Sequence, residues 1–365
     1  MSTSELIGLA KDELDTPSLL VDLDVMEANI ARIAAACREG GVAWRPHVKA
    51  HKTPEIAKLQ LAAGAIGVTC AKLGEAEVMA AAGIRDILIA NQIVGPIKIR
   101  RLMTLLRSAD VITAVDGMAN VRDLDAAARE AGLRLRVVIE VDTGMGRAGV
   151  APDAVVPLAR QIAACEGLEF AGVMAWESHT MTIPDPAVKE AAVVDAIRQL
   201  MACAEDCRRA KLEVRIVSCG GTGTFPYCTR QPGVTEVQVG GAIFSDIRYR
   251  EGCHVDMPFA LTILTTVTSR PSPTRIILDA GKKAMSTDTA VPRPLGLPPH
   301  APVRCSAEHA SIELRESAER PAMGEKVELV VGYSDTTMHL HEEIVGIRRG
   351  AVECVWRVAG RGKLK

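Results

Sequence analysis

Short apolar runs alternate with longer Ala-rich stretches through roughly the first two thirds of the chain. The runs at 42–48, 66–71, 86–90, 110–115, 135–142, 168–175, 213–218 and 234–239 have the length and continuous apolarity of strands buried on both faces. The stretches Thr53–Ala63, Leu73–Ala82, Gly95–Ser108, Met118–Ala131, Ala154–Cys165 and Ala187–Ala210 have helical character and lie between them. An extended segment, Leu19-Leu20-Val21 after Asp15-Thr16-Pro17-Ser18, opens the chain. A helix over Met26–Cys37 follows, with Met26, Ile30, Ile33 and Ala34 on one face. Eight strands with helical crossovers predict an α/β architecture, a parallel (β/α)8 TIM-type barrel. The rival is an open doubly wound sheet. The barrel is preferred because the count reaches eight and no dinucleotide fingerprint opens the first unit.

The rhythm changes near Phe259. Strand-like runs at 261–267, 275–278, 327–331 and 351–356 have no helices between them. Pro- and Gly-rich turns separate them, such as Pro271-Ser272-Pro273 and Leu297-Pro298-Pro299, and Gly324-Glu325-Lys326 and Arg348-Arg349-Gly350 resemble hairpin turns. The expected organisation is a barrel over 22–255, with a mostly antiparallel β domain built from 1–21 and 256–365.

Composition narrows this picture. The chain has 365 residues, 48% of them hydrophobic, enough for a large core. Aromatics are only 3%, so that core is Ala, Val, Ile and Leu. A net charge of −2 gives no basic footprint for nucleic acid. No apolar run reaches the roughly 18 residues of a membrane span. The polar start, Met1-Ser2-Thr3-Ser4-Glu5, lacks the order of a signal peptide. The ten cysteines include no CxxC pair, so reduced thiols in a cytoplasmic protein fit best.

Candidate chemistry clusters where the strands end. In Arg45-Pro46-His47-Val48-Lys49-Ala50-His51-Lys52, Lys49 lies just past the first strand, flanked by Arg45, Lys52 and two histidines. Crowded positive charge with partial burial makes an amine a nucleophile toward carbonyls; the alternative is a surface lysine in a loop. After strand 135–142, Asp142-Thr143-Gly144-Met145-Gly146-Arg147-Ala148-Gly149 combines a flexible turn with an arginine able to hold a phenolate or carboxylate. After strand 168–175 come Trp176, Glu177, Ser178 and His179. After strand 213–218, Cys219-Gly220-Gly221-Thr222-Gly223-Thr224 offers amides and hydroxyls to a phosphate, and Gly240-Gly241 after the last strand offers more. Barrels commonly bind phosphate at these last two positions. A reactive lysine, a phosphate cradle and an arginine near an oxyanion together describe pyridoxal 5′-phosphate held as a Schiff base. His47 and His51 read as supporting residues, His254 and His300 as solvated loop residues.

These segments, with Glu140-Val141-Asp142, Ser218, Glu236-Val237-Gln238 and Asp279-Ala280-Gly281-Lys282-Lys283, resemble the D-threonine aldolase/D-serine dehydratase group. That group includes the 3-hydroxy-D-aspartate aldolases and belongs to the fold-type III pyridoxal phosphate enzymes, alongside alanine racemase. The resemblance runs from about Asp15 to Lys363. It implies that Lys49 is the Schiff-base lysine and the base at Cα. It also implies that Arg147 contacts the cofactor's phenolic oxygen or the substrate carboxylate, and that Gly221, Thr222, Gly240 and Gly241 bind phosphate. Trp176 matches a position where close members carry a tyrosine near the cofactor, and His309 matches a Glu-His pair near the site. The implied assembly is a homodimer whose active sites lie between one barrel and the other subunit's β domain.

One departure bears on mechanism. Members of the group carry a His-Cys-Asp or His-Cys-Cys segment whose first and third residues bind a divalent metal (Mn, Mg or Zn). The matching segment here keeps Asp335 but has Tyr333 in place of the histidine. A phenol is a poor ligand at neutral pH, since it must first lose a proton at pKa ~10. Either the metal is lost, with Tyr333 acting as a hydrogen-bond donor or acid/base, or Asp335 recruits it with His339 or His341, or the chemistry has moved to another reaction at Cα. The implied function is a lyase of D-configured β-hydroxy amino acids, with retro-aldol cleavage ahead of dehydration. Racemisation and a non-catalytic cofactor carrier are the remaining alternatives.

Overall fold

A computed structural model describes residues 3–365 of the chain. Met1 and Ser2, part of the polar start read above, lie outside the described residues. The chain forms two compact units, one of residues 31–49, 54–240 and 362–365, the other of the chain up to Ile30 with residues 50–53 and 241–361.

The first unit is built on eight parallel strands in the spatial order Ala43–Trp44, Glu236–Val237, Ile216–Cys219, Leu168–Met174, Leu135–Glu140, Asp110–Val115, Asp86–Gln92 and Val68–Cys70. A parallel bridge between His47 and Thr69, with the Thr69 amide donating to Pro46 at 2.8 Å, joins the two ends of this sheet. The expected TIM-type barrel is therefore present. Its aliphatic filling is also as expected, for Leu88, Ile112, Ala114, Val138, Ala171, Met174 and Ile216 form one buried cluster. Removing all but the Cβ of such a residue costs about 2–5 kcal/mol.

The helices follow the alternating pattern closely. Met118–Glu130 and Pro186–Arg209 lie within a residue or so of their expected spans at both ends. The second begins where it does because Asp185 caps it, its side chain accepting from the amides of Ala187 and Val188 at 2.9 Å each, with Pro186 in the first turn. The first strand is shorter than its apolar run. It is regular only over Ala43–Trp44, because Pro46 has no N–H to pair. Val48–Ala50 then turns as one 3₁₀ loop, which fixes the backbone of Lys49 at the strand's carboxyl end.

The second unit is mostly antiparallel. The long strand Leu261–Ser272 pairs with Ser18–Asp22, Lys326–Val330 and Arg275–Leu278. The one parallel partner of Ser18–Asp22 is Glu343–Arg348, which the apolar pattern had not marked as a strand. That strand forms a hairpin with Ala351–Arg357 through Arg349 and Gly350, at φ 52° and 83°. No helix among the described residues is long and apolar enough to cross a membrane.

Candidate active site

All barrel strands run the same way, so the loops after their carboxyl ends share one mouth. Lys49 opens there, partly exposed, its amide donating to His47 Nδ1 at 3.4 Å. The crowd of cations read around it is thinner than the sequence suggests. Arg45 is buried and faces two carboxylates, Asp86 at 2.6 Å and Glu236 at 3.1 Å, which neutralise its charge.

The glycine turns leave from adjacent strands, since Ser218 pairs with Glu236 and Cys219 with Val237. Gly240 admits no side chain, because a Cβ there would lie 2.2 Å from the His47 carbonyl oxygen. Gly221 is similarly confined. A Cβ would lie 2.3 Å from the indole of Trp176, which packs on the turn. The Gly221 amide donates to the Thr224 hydroxyl at 3.1 Å. Thr222 and Gly223 are buried, yet among the described residues their amides meet no acceptor, and the same holds for buried Gly240 and Gly241. Buried backbone donors are almost always paired. Amides left open in a glycine cradle fit a phosphate, and pyridoxal 5′-phosphate carries one. The Thr224 hydroxyl, which the sequence offered to that phosphate, turns away from it and donates to Glu177.

Across the mouth, Glu140 ends its strand buried and accepts from the Gln92 side chain at 2.6 Å. Its other oxygen holds one nitrogen of Arg147 at 3.5 Å. Arg147 is still 55% exposed. Its loop is shaped by Asp142, whose carboxylate accepts from the amides of Gly144 and Gly146 at 3.0 Å each. Those amides hold the Asp142 carboxyl below its usual range.

Tyr333 lies in the second unit, at the start of the helix Ser334–Met338. Its ring meets Tyr249 edge-on at 5.6 Å between centroids, and the Arg248 guanidinium sits 4.7 Å over it. Burial pushes the phenol well above its usual range, and the neighbouring Asp335 carboxylate, to which it is hydrogen-bonded, pushes it the same way. Such a phenol keeps its proton, and a protonated oxygen beside an arginine is the wrong donor for a divalent cation. Tyr333 does not fit the implied metal. His341 Nε2 bonds the Ala284 carbonyl at 2.6 Å, and His339 is exposed. His309 is exposed as well, beside the Lys283–Glu308 ion pair.

Asp246 stands behind this segment. It accepts from the Ser334 amide and hydroxyl at 2.8 Å each and from the Tyr249 amide at 2.7 Å. Burial lifts it to about 7 against those bonds. The Asp-x-x-Tyr spacing is that of a side-chain cap, a readable signal that the sequence reading did not use. Gln92, Glu140 and Glu177 carry no comparable signal, because only the fold turns them inward.

Residues 21–247 match the family model of the alanine racemase N-terminal domain, and residues 260–347 that of a putative serine dehydratase domain. The chain is 35% identical over 369 residues to a 3-hydroxy-D-aspartate aldolase of Paracoccus denitrificans (strain Pd 1222), covering 98% of this chain and 95% of that protein. It is 37% identical over 354 residues to a D-threonine aldolase of an Arthrobacter species, covering 96% and 93%. The crystal structure of D-threonine aldolase from Filomicrobium marinum aligns with a TM-score of 0.94 at 34% identity, covering 98% of this chain and 99% of that one.

Proposed function

We propose, from the premise that this chain belongs to the family joining an alanine racemase N-terminal domain to a serine dehydratase domain, that it is a pyridoxal 5′-phosphate-dependent lyase. Its substrates are D-configured β-hydroxy amino acids, cleaved between Cα and Cβ to glycine and an aldehyde. The observation that carries this reading is the pairing of Lys49 at a barrel strand end with buried amides at 222, 223 and 240 that have no protein acceptor.

When bound, the cofactor supplies an electron sink for the pair released at Cα. Lys49 Nζ would hold the cofactor aldehyde and carry the proton exchanged at Cα. The amides of Thr222, Gly223, Gly240 and Gly241 would bind phosphate. Trp176 packs on Gly221 beside the cradle. Arg147, steadied by Glu140, offers its free N–H groups to the phenolic oxygen or the substrate carboxylate. Cleavage requires the β-hydroxyl to lose its proton. Tyr333 is the candidate acid/base for that proton, with Asp335 to take the phenol's own, which would make a divalent metal unnecessary. His309 is retained as a candidate site residue. The working assembly is a homodimer in the cytoplasm.

The test is a panel of D-threonine, D-serine and 3-hydroxy-D-aspartate, with products identified. Glycine and an aldehyde are expected. Ammonia and a keto acid would make the protein a dehydratase, and conversion between D and L forms a racemase. Bound cofactor without turnover of any substrate would make it a carrier.

A further inference from the structure

Glu177 has no part in the chemistry above, yet it is 1% exposed and lies directly behind the phosphate turn. One carboxylate oxygen accepts from the Thr224 hydroxyl at 2.5 Å and from the Cys228 thiol at 3.4 Å. The other accepts from the Gly220 amide at 3.4 Å. Thr224 has a single hydroxyl proton. Because that proton goes to Glu177, the lone pairs of Thr224 are turned toward the Gly221 amide, which donates to them at 3.1 Å. A chain of two hydrogen bonds thus runs from Glu177 to the backbone of the turn. It removes the Gly220 and Gly221 amides from the outer surface and leaves those of Thr222 and Gly223 open.

We infer that Glu177 is a positioning residue for phosphate: through Thr224 it sets which amides of the 220–224 turn face the ligand. This rests on the cofactor reading above. Glu177, Cys219 and Cys228 also bring ligand atoms within 4.8 Å of one another, the spacing of a metal group. Their chemistry opposes that use. Burial pushes both the Glu177 carboxyl and the Cys228 thiol up, toward their protonated forms, whereas metal ligands must shed protons.

The decisive experiment compares two ligands on the purified apoprotein: pyridoxal 5′-phosphate and pyridoxal, which lacks the phosphate. Glu177→Ala should weaken binding of the first by roughly tenfold and leave binding of the second unchanged. Glu177→Gln keeps a side-chain oxygen as acceptor for Thr224 and should restore most of the loss. Thr224→Val removes only the hydroxyl and should reproduce the alanine effect even if Glu177→Ala does not fold. The double variant should lose no more than either single one, because both act through one chain of bonds. Equal weakening of both ligands, or additive losses, would overturn the inference. Failure of the unaltered protein to bind pyridoxal 5′-phosphate at all would instead strike down the reading on which it rests.

Discussion

The glycine turns of the barrel and the Tyr333 segment of the serine dehydratase domain both gather polar groups, and they leave them in opposite states. At 222, 223 and 240 buried amides have no protein acceptor. At Tyr333 the phenol is hydrogen-bonded to Tyr249 and Asp335, and Asp246 takes three hydrogen bonds behind them. An open donor set is a socket whose ligand comes from outside. A phenol held among its own partners offers a proton relay in place of an open donor. The two regions differ in whether their polar groups already meet partners within the chain.

The sharpest way to break the contrast is at the barrel. Lys49→Ala should lack the visible imine absorbance that borohydride removes from the unaltered protein loaded with pyridoxal 5′-phosphate, and should lower turnover by at least about 10³-fold. Retained turnover would mean that the open amides serve some other ligand. At the closed corner, Tyr333→Phe should cost about 10²-fold in turnover with cofactor absorbance unchanged. Dialysis of the unaltered protein against EDTA should leave activity intact, while Tyr333→His should make it respond to Mn²⁺. Loss of activity in EDTA, restored by Mn²⁺ or Zn²⁺, would show that the closed corner opens to metal after all.

Gly240→Ala forces a Cβ against the His47 carbonyl and should cost about 1–3 kcal/mol, seen as a lower melting temperature and a smaller gain on adding cofactor. The smallest effect is in pH. Asp246 titrates near 7 in the folded chain and near 3.8 as a free side chain. The native state therefore binds its proton more tightly than the unfolded one. This contribution is fully present below pH ~4 and is lost as pH rises through about 7. Melting temperatures across pH 5–8 should fall more steeply for the unaltered protein than for Asp246→Asn.

The barrel was legible because its strands are continuous apolar runs and its helices carry strong ends, such as the Asp185 cap and Pro186. The places of Lys49 and the glycine turns at strand ends were legible because the apolar rhythm fixes where each strand stops. Glu343–Arg348 was missed: its apolar run is broken by Gly346, which must be glycine because a Cβ would lie 2.4 Å from Cys354 Sγ. The inward turn of Thr224 was also unreadable, since its partner Glu177 is 47 positions away. Arg45 misled for the same reason, its two carboxylates lying 41 and 191 positions distant. Residue type announces what a side chain can do; distant partners decide whether it is already occupied.

The strand Ser18–Asp22 has as its neighbours Leu261–Ser272 and Glu343–Arg348. During synthesis it leaves the ribosome more than two hundred residues before either partner. Its apolar Leu19-Leu20-Val21 edge must therefore be shielded, by a chaperone or by provisional contacts, while everything up to Gly240 is being translated. A truncated chain would carry that sticky segment permanently, so premature termination in this gene should yield aggregates rather than a free barrel.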